Sequence, residues 1–262
     1  MAGHLFNSFS RSKLLLVLLA IPLMGLLAVP PVMLLAQTPP EMAIKYLGKP
    51  TVIQAIALSL WTSAASLAIT LIFGTPLAYI LGRWKFRGKG IVEVLVDWPI
   101  VLPPAVAGIA LLMTLGSRGV IGRWLARAGI EIPFTPIAVI IAQTFVACPY
   151  YIKAASVGFG TVSRHMLEAA ELDGASPWQR FRRIVLPLAF RSVTIGSALT
   201  WSRALGEFGA TIIFAGNYPG RTQTIPLAVF ELDFRQALTL AAILLVISFV
   251  VLIGIRLAYP RS

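Results

Sequence analysis

Of the chain's 262 residues, 58% are hydrophobic and only 12% carry charge, and the mean hydropathy is +0.85. A water-soluble domain carries about 25% charged residues, so this composition excludes one. The net charge of +12 and pI near 10.6 would suit nucleic acid in a soluble protein, but here the basic residues cluster at the ends of apolar runs, which marks membrane orientation rather than nucleic acid binding.

A membrane-crossing helix needs about 20 mainly apolar residues. Six runs qualify: residues 14–36, 55–82, 94–116, 136–160, 184–215 and 237–257. Backbone polar groups in lipid must pair within their own segment, so each run is expected to be helical. The second and fifth exceed what a span requires, and tilt or a part outside the hydrocarbon must absorb the excess. The first run follows Arg11 and Lys13. It is longer than the apolar core of a cleaved signal, about 7–15 residues, so a retained span is expected. With the N-terminus inside, the inner segments carry twelve basic residues and the outer loops seven, which favours both termini in the cytosol.

Between the fourth and fifth runs lies a polar island, residues 168–187, reading Glu-Ala-Ala-Glu-Leu-Asp-Gly-Ala-Ser-Pro-Trp-Gln-Arg-Phe-Arg-Arg-Ile-Val-Leu-Pro. Ser163 is placed to cap a short helix, Gly174 to stop it in a left-handed turn, and Ser176-Pro177 with Gln179 to open a second helix through a capping box. The expectation is a helix, a glycine turn and a helix on the cytosolic side. Trp178, Phe181 and Ile184 would share an apolar face with Ala169 and Ala170. A merely solvated hairpin would not carry such a face, which needs the bundle or a partner to cover it.

The fifth run holds Arg203 and Glu207, four residues apart and therefore on one helix face, with Thr211 continuing that ridge. Ala198, Ser202, Gly206 and Ala210 form a neighbouring ridge of small residues that would let another helix approach. Ionisable residues inside a span face protein or water. Arg203 and Glu207 read either as an ion pair that holds the bundle together or as part of an anion pathway. In the second case Arg203 acts on the anion, or the hydroxyls of Thr200, Ser202 and Thr211 line a neutral polar path beside a neutralised pair.

No catalytic or metal constellation stands out. His4 and His165 are far apart, and Cys148 lies in an apolar run where a buried hydrophobe is the ordinary role. Gly88-Lys89-Gly90 lacks the leading glycine and trailing hydroxyl of a phosphate loop and reads as a basic turn. Glu93 and Asp97, four apart, are the one carboxylate pair from which a membrane-embedded transferase could be drawn, without a histidine to support it.

The spacing of Glu168, Ala169, Ala170, Gly174, Ile184, Leu186 and Pro187 resembles the signature loop of the membrane subunits of bacterial type I ABC importers. The resemblance extends over roughly residues 50–257. It implies an all-α polytopic membrane protein of six transmembrane helices, with a cytosolic coupling-helix hairpin between spans four and five that docks on a separate ATPase. On this reading residues 1–50 are an N-terminal cytosolic segment, first span and outer loop, residues 51–257 the transport module, and residues 258–262 a cytosolic tail. A second stretch, Arg203-Ala204-Leu205-Gly206-Glu207-Phe208-Gly209-Ala210-Thr211 with Pro219-Gly220-Arg221-Thr222-Gln223-Thr224-Ile225-Pro226, resembles the molybdate/tungstate branch of the oxyanion importers, whose nearest relative is the sulfate/thiosulfate branch. Asp97-Trp98-Pro99 and Leu102-Pro103-Pro104 match that group loosely, while Arg191-Ser192 depart from the Pro-Gly usual after the Leu-Pro.

What the resemblance implies is a non-catalytic subunit of the bacterial plasma membrane. Two copies form a homodimeric pathway in membrane lipid. Two copies of a cytosolic ABC ATPase subunit bind ATP and Mg, so this chain holds no cofactor. An extracellular oxyanion-binding protein delivers the cargo. Sulfate/thiosulfate remains the alternative cargo, normally carried by a pair of unlike membrane subunits.

Overall fold

The structure, a computed structural model, describes residues 2–258. The tail 259–262 with Arg261, and the side chains of residues 1–12, 252, 255, 256 and 258, among them His4, Arg11 and Arg256, lie outside the described residues.

Regular structure among the described residues is helical. In chain order the helices are α1 (Ala2–Ala36), α2 (Pro40–Leu47), α3 (Pro50–Arg83), α4 (Lys89–Val101), α5 (Pro104–Leu115), α6 (Gly122–Arg127), α7 (Pro136–Gly160), α8 (Arg164–Leu172) and α9 (Pro177–Arg180). A π-helical turn, Phe181–Val185, joins α9 to α10 (Leu186–Leu205), and α11 (Gly209–Phe214), α12 (Ile225–Glu231) and α13 (Phe234–Ala258) complete the chain. Among the described residues, five stretches are long and apolar enough to cross a membrane: Lys13–Ala36, Pro50–Arg83, Pro136–Gly160, Pro177–Leu205 and Phe234–Val251. A sixth crossing results if α4 and α5 count as one broken span.

Two spans differ from the straight helices expected. The third is broken into α4 and α5, which meet at 114°. Leu102 and Pro103 take extended ψ values of 131° and 132° at the joint. Consecutive prolines remove two amide donors there and push each preceding residue out of the helical region. The fifth run neither starts nor ends where expected. Its helix begins at Pro177, runs through the π turn and stops at Leu205, with Gly206 closing the helix. The helix breaks across Gly206–Phe208 and resumes as the separate short α11, so Thr211 does not continue the ridge of Arg203 and Glu207, and the small-residue ridge ends at Gly206.

The centre of the bundle is α7, packed between α3 and α10. Gly74 meets Tyr151 and Ile152, and Gly82 meets Ser156 and Gly160, so α3 and α7 run in the same direction. Gly158 meets Ser192, Gly196 meets Ala154 and Tyr151, and Thr200 meets the Ala147 carbonyl, so α10 runs opposite. These contacts are close: a methyl added at Gly82 would lie 2.4 Å from the Ser156 carbonyl oxygen. Small residues permit such approach where both helices and lipid are equally apolar and only packing drives association.

The face of α3 turned to its neighbours is polar but satisfied. Ser59, Thr62, Ser63, Ser66 and Thr70 are all buried. Thr62 and Thr70 donate back to the carbonyls of Leu58 and Ser66 at 2.7 and 2.9 Å. Ser66 accepts from Thr144 at 3.1 Å, and Ser63 accepts from the Trp201 indole at 3.0 Å. In contrast, the apolar window of α1 has no residue buried within the chain.

Candidate functional site

The polar island folds as a capped hairpin. Ser163 stands at the N-cap position of α8 but its side chain makes no cap bond, a difference from expectation. The far end closes as expected. Gly174 takes φ +81°, the Ala175 amide donates to the Ala170 carbonyl at 2.9 Å, and the Gly174 amide donates to Glu171 at 2.9 Å. This is the six-to-one and five-to-two pattern of a glycine-terminated helix, which glycine adopts without Cβ strain. Ser176 then opens α9 with a complete capping box: its hydroxyl accepts from the Gln179 amide at 3.3 Å, and Gln179 Oε1 accepts from the Ser176 amide at 2.7 Å.

Charge ties the two arms. Glu168 accepts from Arg164 Nε at 2.8 Å along α8, with His165 at 3.6 Å, while Glu171 pairs across the turn with Arg180. Of the seven signature positions, Glu168, Ala169, Gly174 and Pro187 are exposed, and Ala170, Ile184 and Leu186 are half-buried. The shared apolar face divides. Phe181 turns into the bundle, edge-on to Tyr79 at 5.5 Å and to Phe159 at 6.0 Å. Trp178 stacks on Phe181 at 5.7 Å yet stays 65% exposed, and Leu172 is 89% exposed. The hairpin therefore has a root buried in the core and an apolar tip left open. Arg83 anchors the root by donating to the Val162 carbonyl.

In the fifth span the expected pair is present: Arg203 Nη1 lies 2.7 Å from Glu207 Oε2. The carboxylate is buried, 1% exposed, while the guanidinium side chain is 28% exposed. Glu207 also accepts the Ala210 amide at 2.8 Å, which replaces a backbone partner lost at the break after Leu205. Thr200 is buried with its hydroxyl given to the Ala147 carbonyl at 3.2 Å, Thr211 is fully buried, and Ser202 is half-buried. Thr200 and Thr211 are thus enclosed between helices, and of the five pathway candidates Arg203 and Ser202 keep some access.

The run after α11 has a structural use. Tyr218 accepts three amides at its carbonyl, from Arg221, Thr222 and Gln223. The Gln223 and Asn217 side chains both donate to Glu231 at 2.7 Å. The Ile225 amide donates to Ser59 at 2.6 Å, seating α12 on α3.

Two acidic residues sit in ion pairs instead of facing each other. Glu93 lies 3.7 Å from Lys89, and Asp97 accepts from Lys153 of α7 at 2.9 and 3.0 Å. Sequence reasoning passed over Lys153. The signal was there: a lone lysine in the apolar run 136–160 has to face protein or water.

Comparison with known proteins supplies the context for these sites. Residues 74–261 match the family model described as "Binding-protein-dependent transport system inner membrane component". A "Probable transport system permease protein NifC" of Clostridium pasteurianum is 41% identical over 211 residues, 79% of this chain and 73% of that one. A "Molybdenum transport system permease protein ModB" of Mycobacterium tuberculosis is 39% identical over 214 residues, covering 80% and 81%. The "Sulfate transport system permease protein CysT" of Escherichia coli is 32% identical over 216 residues, covering 81% and 78%. Among solved structures, a bacterial ABC transporter involved in alginate import superposes with a TM-score of 0.72 at 18% identity, over 97% of this chain and 96% of that one.

Proposed function

The chain belongs to the family of binding-protein-dependent transport system inner membrane components, the permease subunits of ABC importers, and from that premise we propose that it carries molybdate or tungstate and couples their uptake to a separate ATPase. It is a multi-pass inner-membrane permease. The observation that supports coupling is the capped hairpin of α8 and α9, with its buried root and open tip of Leu172 and Trp178. An exposed apolar tip rimmed by charged side chains is the form of a docking surface.

On this reading the hairpin lies in the cytosol with both chain termini, and Glu168, Ala169, Ala170 and Gly174 form the docking core. Ile184, Leu186 and Pro187 carry the second arm into the membrane. ATP and Mg are held by the ATPase, present in two copies. Two copies of this permease, each contributing residues 51–257, enclose the pathway, and an extracellular oxyanion-binding protein feeds it. Arg203 and Ser202 face that pathway, and Glu207, Thr200 and Thr211 hold its wall in shape.

Support for the cargo is comparative. The relative named for molybdenum transport is 39% identical, the one named for sulfate transport 32%, over similar lengths. The run 219–226, which carries the resemblance to the molybdate branch, packs as a scaffold for α12 and does not itself read the anion. The experiment is ATP-driven uptake into proteoliposomes holding the complete transporter and its binding protein. Molybdate or tungstate uptake that excess sulfate leaves unchanged is the expected result. Uptake of sulfate alone would transfer the chain to the sulfate reading.

A further inference from the structure

Among the described residues, an ion pair joins α4 to α7 within the stretches apolar enough to cross a membrane, and its setting is unusual. Asp97 of α4 and Lys153 of α7 are joined by two contacts, 2.9 and 3.0 Å, with side chains 42% and 55% exposed. Lys153 lies seven residues before the end of α7, roughly 10 Å along its axis. A lysine so placed can extend its stem toward the interface, but an aspartate has no stem to extend. A half-exposed aspartate at that depth cannot face acyl chains and has to face water or protein.

The packing of α7 shows which face this is. Val139, Ala142 and Val146 are sealed against Ala107, Ala210 and Phe214 of α5 and α11. Further along the same side of α7 the cover ends, and Lys153 and Val157 are exposed. The side is therefore closed in the half nearer Pro136 and open in the half nearer the α8–α9 hairpin. Arg203 lies at the closed level, because Thr200 contacts Ala147 and α10 runs antiparallel to α7. The register offsets Arg203 from Lys153 by roughly 13 Å along the bundle.

We propose that Asp97 and Lys153 form a charged station on the anion's route, on the hairpin side of Arg203. A doubly charged tetrahedral oxyanion displaces the Asp97 carboxylate from the Lys153 ammonium. The returning carboxylate then competes the anion off and sends it on. Strong binding alone would trap the cargo, and a resident counter-charge keeps the site weak enough to leave. The station rests on the oxyanion-importer reading given above.

The test uses the full transporter with its binding protein, in proteoliposomes, with Cys148→Ser as background. K153C is expected to react with a membrane-impermeant charged thiol reagent, and molybdate under turnover to slow that reaction. K153Q is expected to lower oxyanion uptake by about tenfold or more, the scale of losing one desolvated charge partner, with K153R retaining most of it. Binding-protein-stimulated ATP hydrolysis in K153Q is expected to persist. A K153C thiol that stays unreactive overturns the station, as does wild-type uptake by the exchanged pair D97K/K153D, which would make it a structural tie. If the wild type carries neither molybdate, tungstate nor sulfate, the oxyanion reading fails, while thiol access still reports separately whether the face is aqueous.

Discussion

Arg203 and Glu207 are 2.7 Å apart but are not equivalent: the carboxylate is 1% exposed and the guanidinium side chain 28%. The pair straddles the end of α10, and the buried partner also caps α11 through the Ala210 amide. Breaking a buried pair is costly because it strands the buried charge, about 3–5 kcal/mol. The asymmetry sets a direction. Arg203→Met strands the buried carboxylate and is expected to lie in that range, whereas Glu207→Gln keeps an acceptor for Ala210 and leaves a cation that water can reach. Thermal unfolding of the purified permease should therefore rank R203M below E207Q, with the double variant recovering part of the loss. The reverse order would mean that the guanidinium is the charge that burial penalises.

The hairpin offers two interactions of different quality. Glu171 and Arg180 form an ion pair with side chains 63% and 20% exposed, and such pairs contribute about 0–1 kcal/mol. The Ser176 cap satisfies amides at a helix start, and its loss costs about 1 kcal/mol. Ser176→Ala is thus expected to raise amide hydrogen exchange at Gln179 and Arg180 more than Glu171→Ala does, and only the effect of E171A should fade with added salt.

Gly174 has a backbone reason to be glycine. At φ +81° a Cβ costs roughly 1–2 kcal/mol, yet open space surrounds the site. The penalty is conformational rather than steric. Gly174→Val is expected to cut ATP-driven uptake sharply without lowering the amount of chain in the membrane, and Gly174→Asn, which tolerates the left-handed region, to restore part of it. Equal loss in both variants would show that the partner meets the glycine's bare surface and does not read the turn.

The hairpin was legible because its signals are local. A cap, a proline at the first helical position, a capping-box glutamine and a terminating glycine lie within residues 174–179 and act on their own neighbours. The fourth span was legible to its bounds, since Thr135 caps it and Pro136 opens it. The breaks were not. Hydropathy runs unbroken through Leu102-Pro103-Pro104 and through Gly206, and a hydropathy window measures apolarity, not direction. The prolines marked the first bend, but nothing local announced that the Glu207 side chain would take over the Ala210 amide. Lys153 was passed over for another reason: its partner is 56 positions away, and pairing at that distance is a property of the packed bundle.

Asp233 supplies a pH dependence outside the membrane-crossing segments. It stands just before α13 and accepts the amides of Arg235 and Gln236 at 3.1 and 3.2 Å, with the Gln236 side chain on its other oxygen. Desolvation is the largest single influence and works to raise its pKa. The hydrogen bonds from the Gln236 amide and side chain and from the Arg235 amide, with the charge of Lys49, outweigh it and hold the carboxyl below its ordinary value. A carboxyl whose folded pKa is depressed stabilises the fold above its unfolded pKa and loses that contribution as pH falls through the folded one. The start of α13 should therefore fray as the medium is acidified past the ordinary carboxylate range, and stay closed from there to neutrality. Asp233→Asn keeps an acceptor but removes the charge, so it should flatten that acid response. Amide exchange at residues 235–239, followed against pH in both proteins, checks this. An unchanged acid response in the variant would assign the fraying to another group.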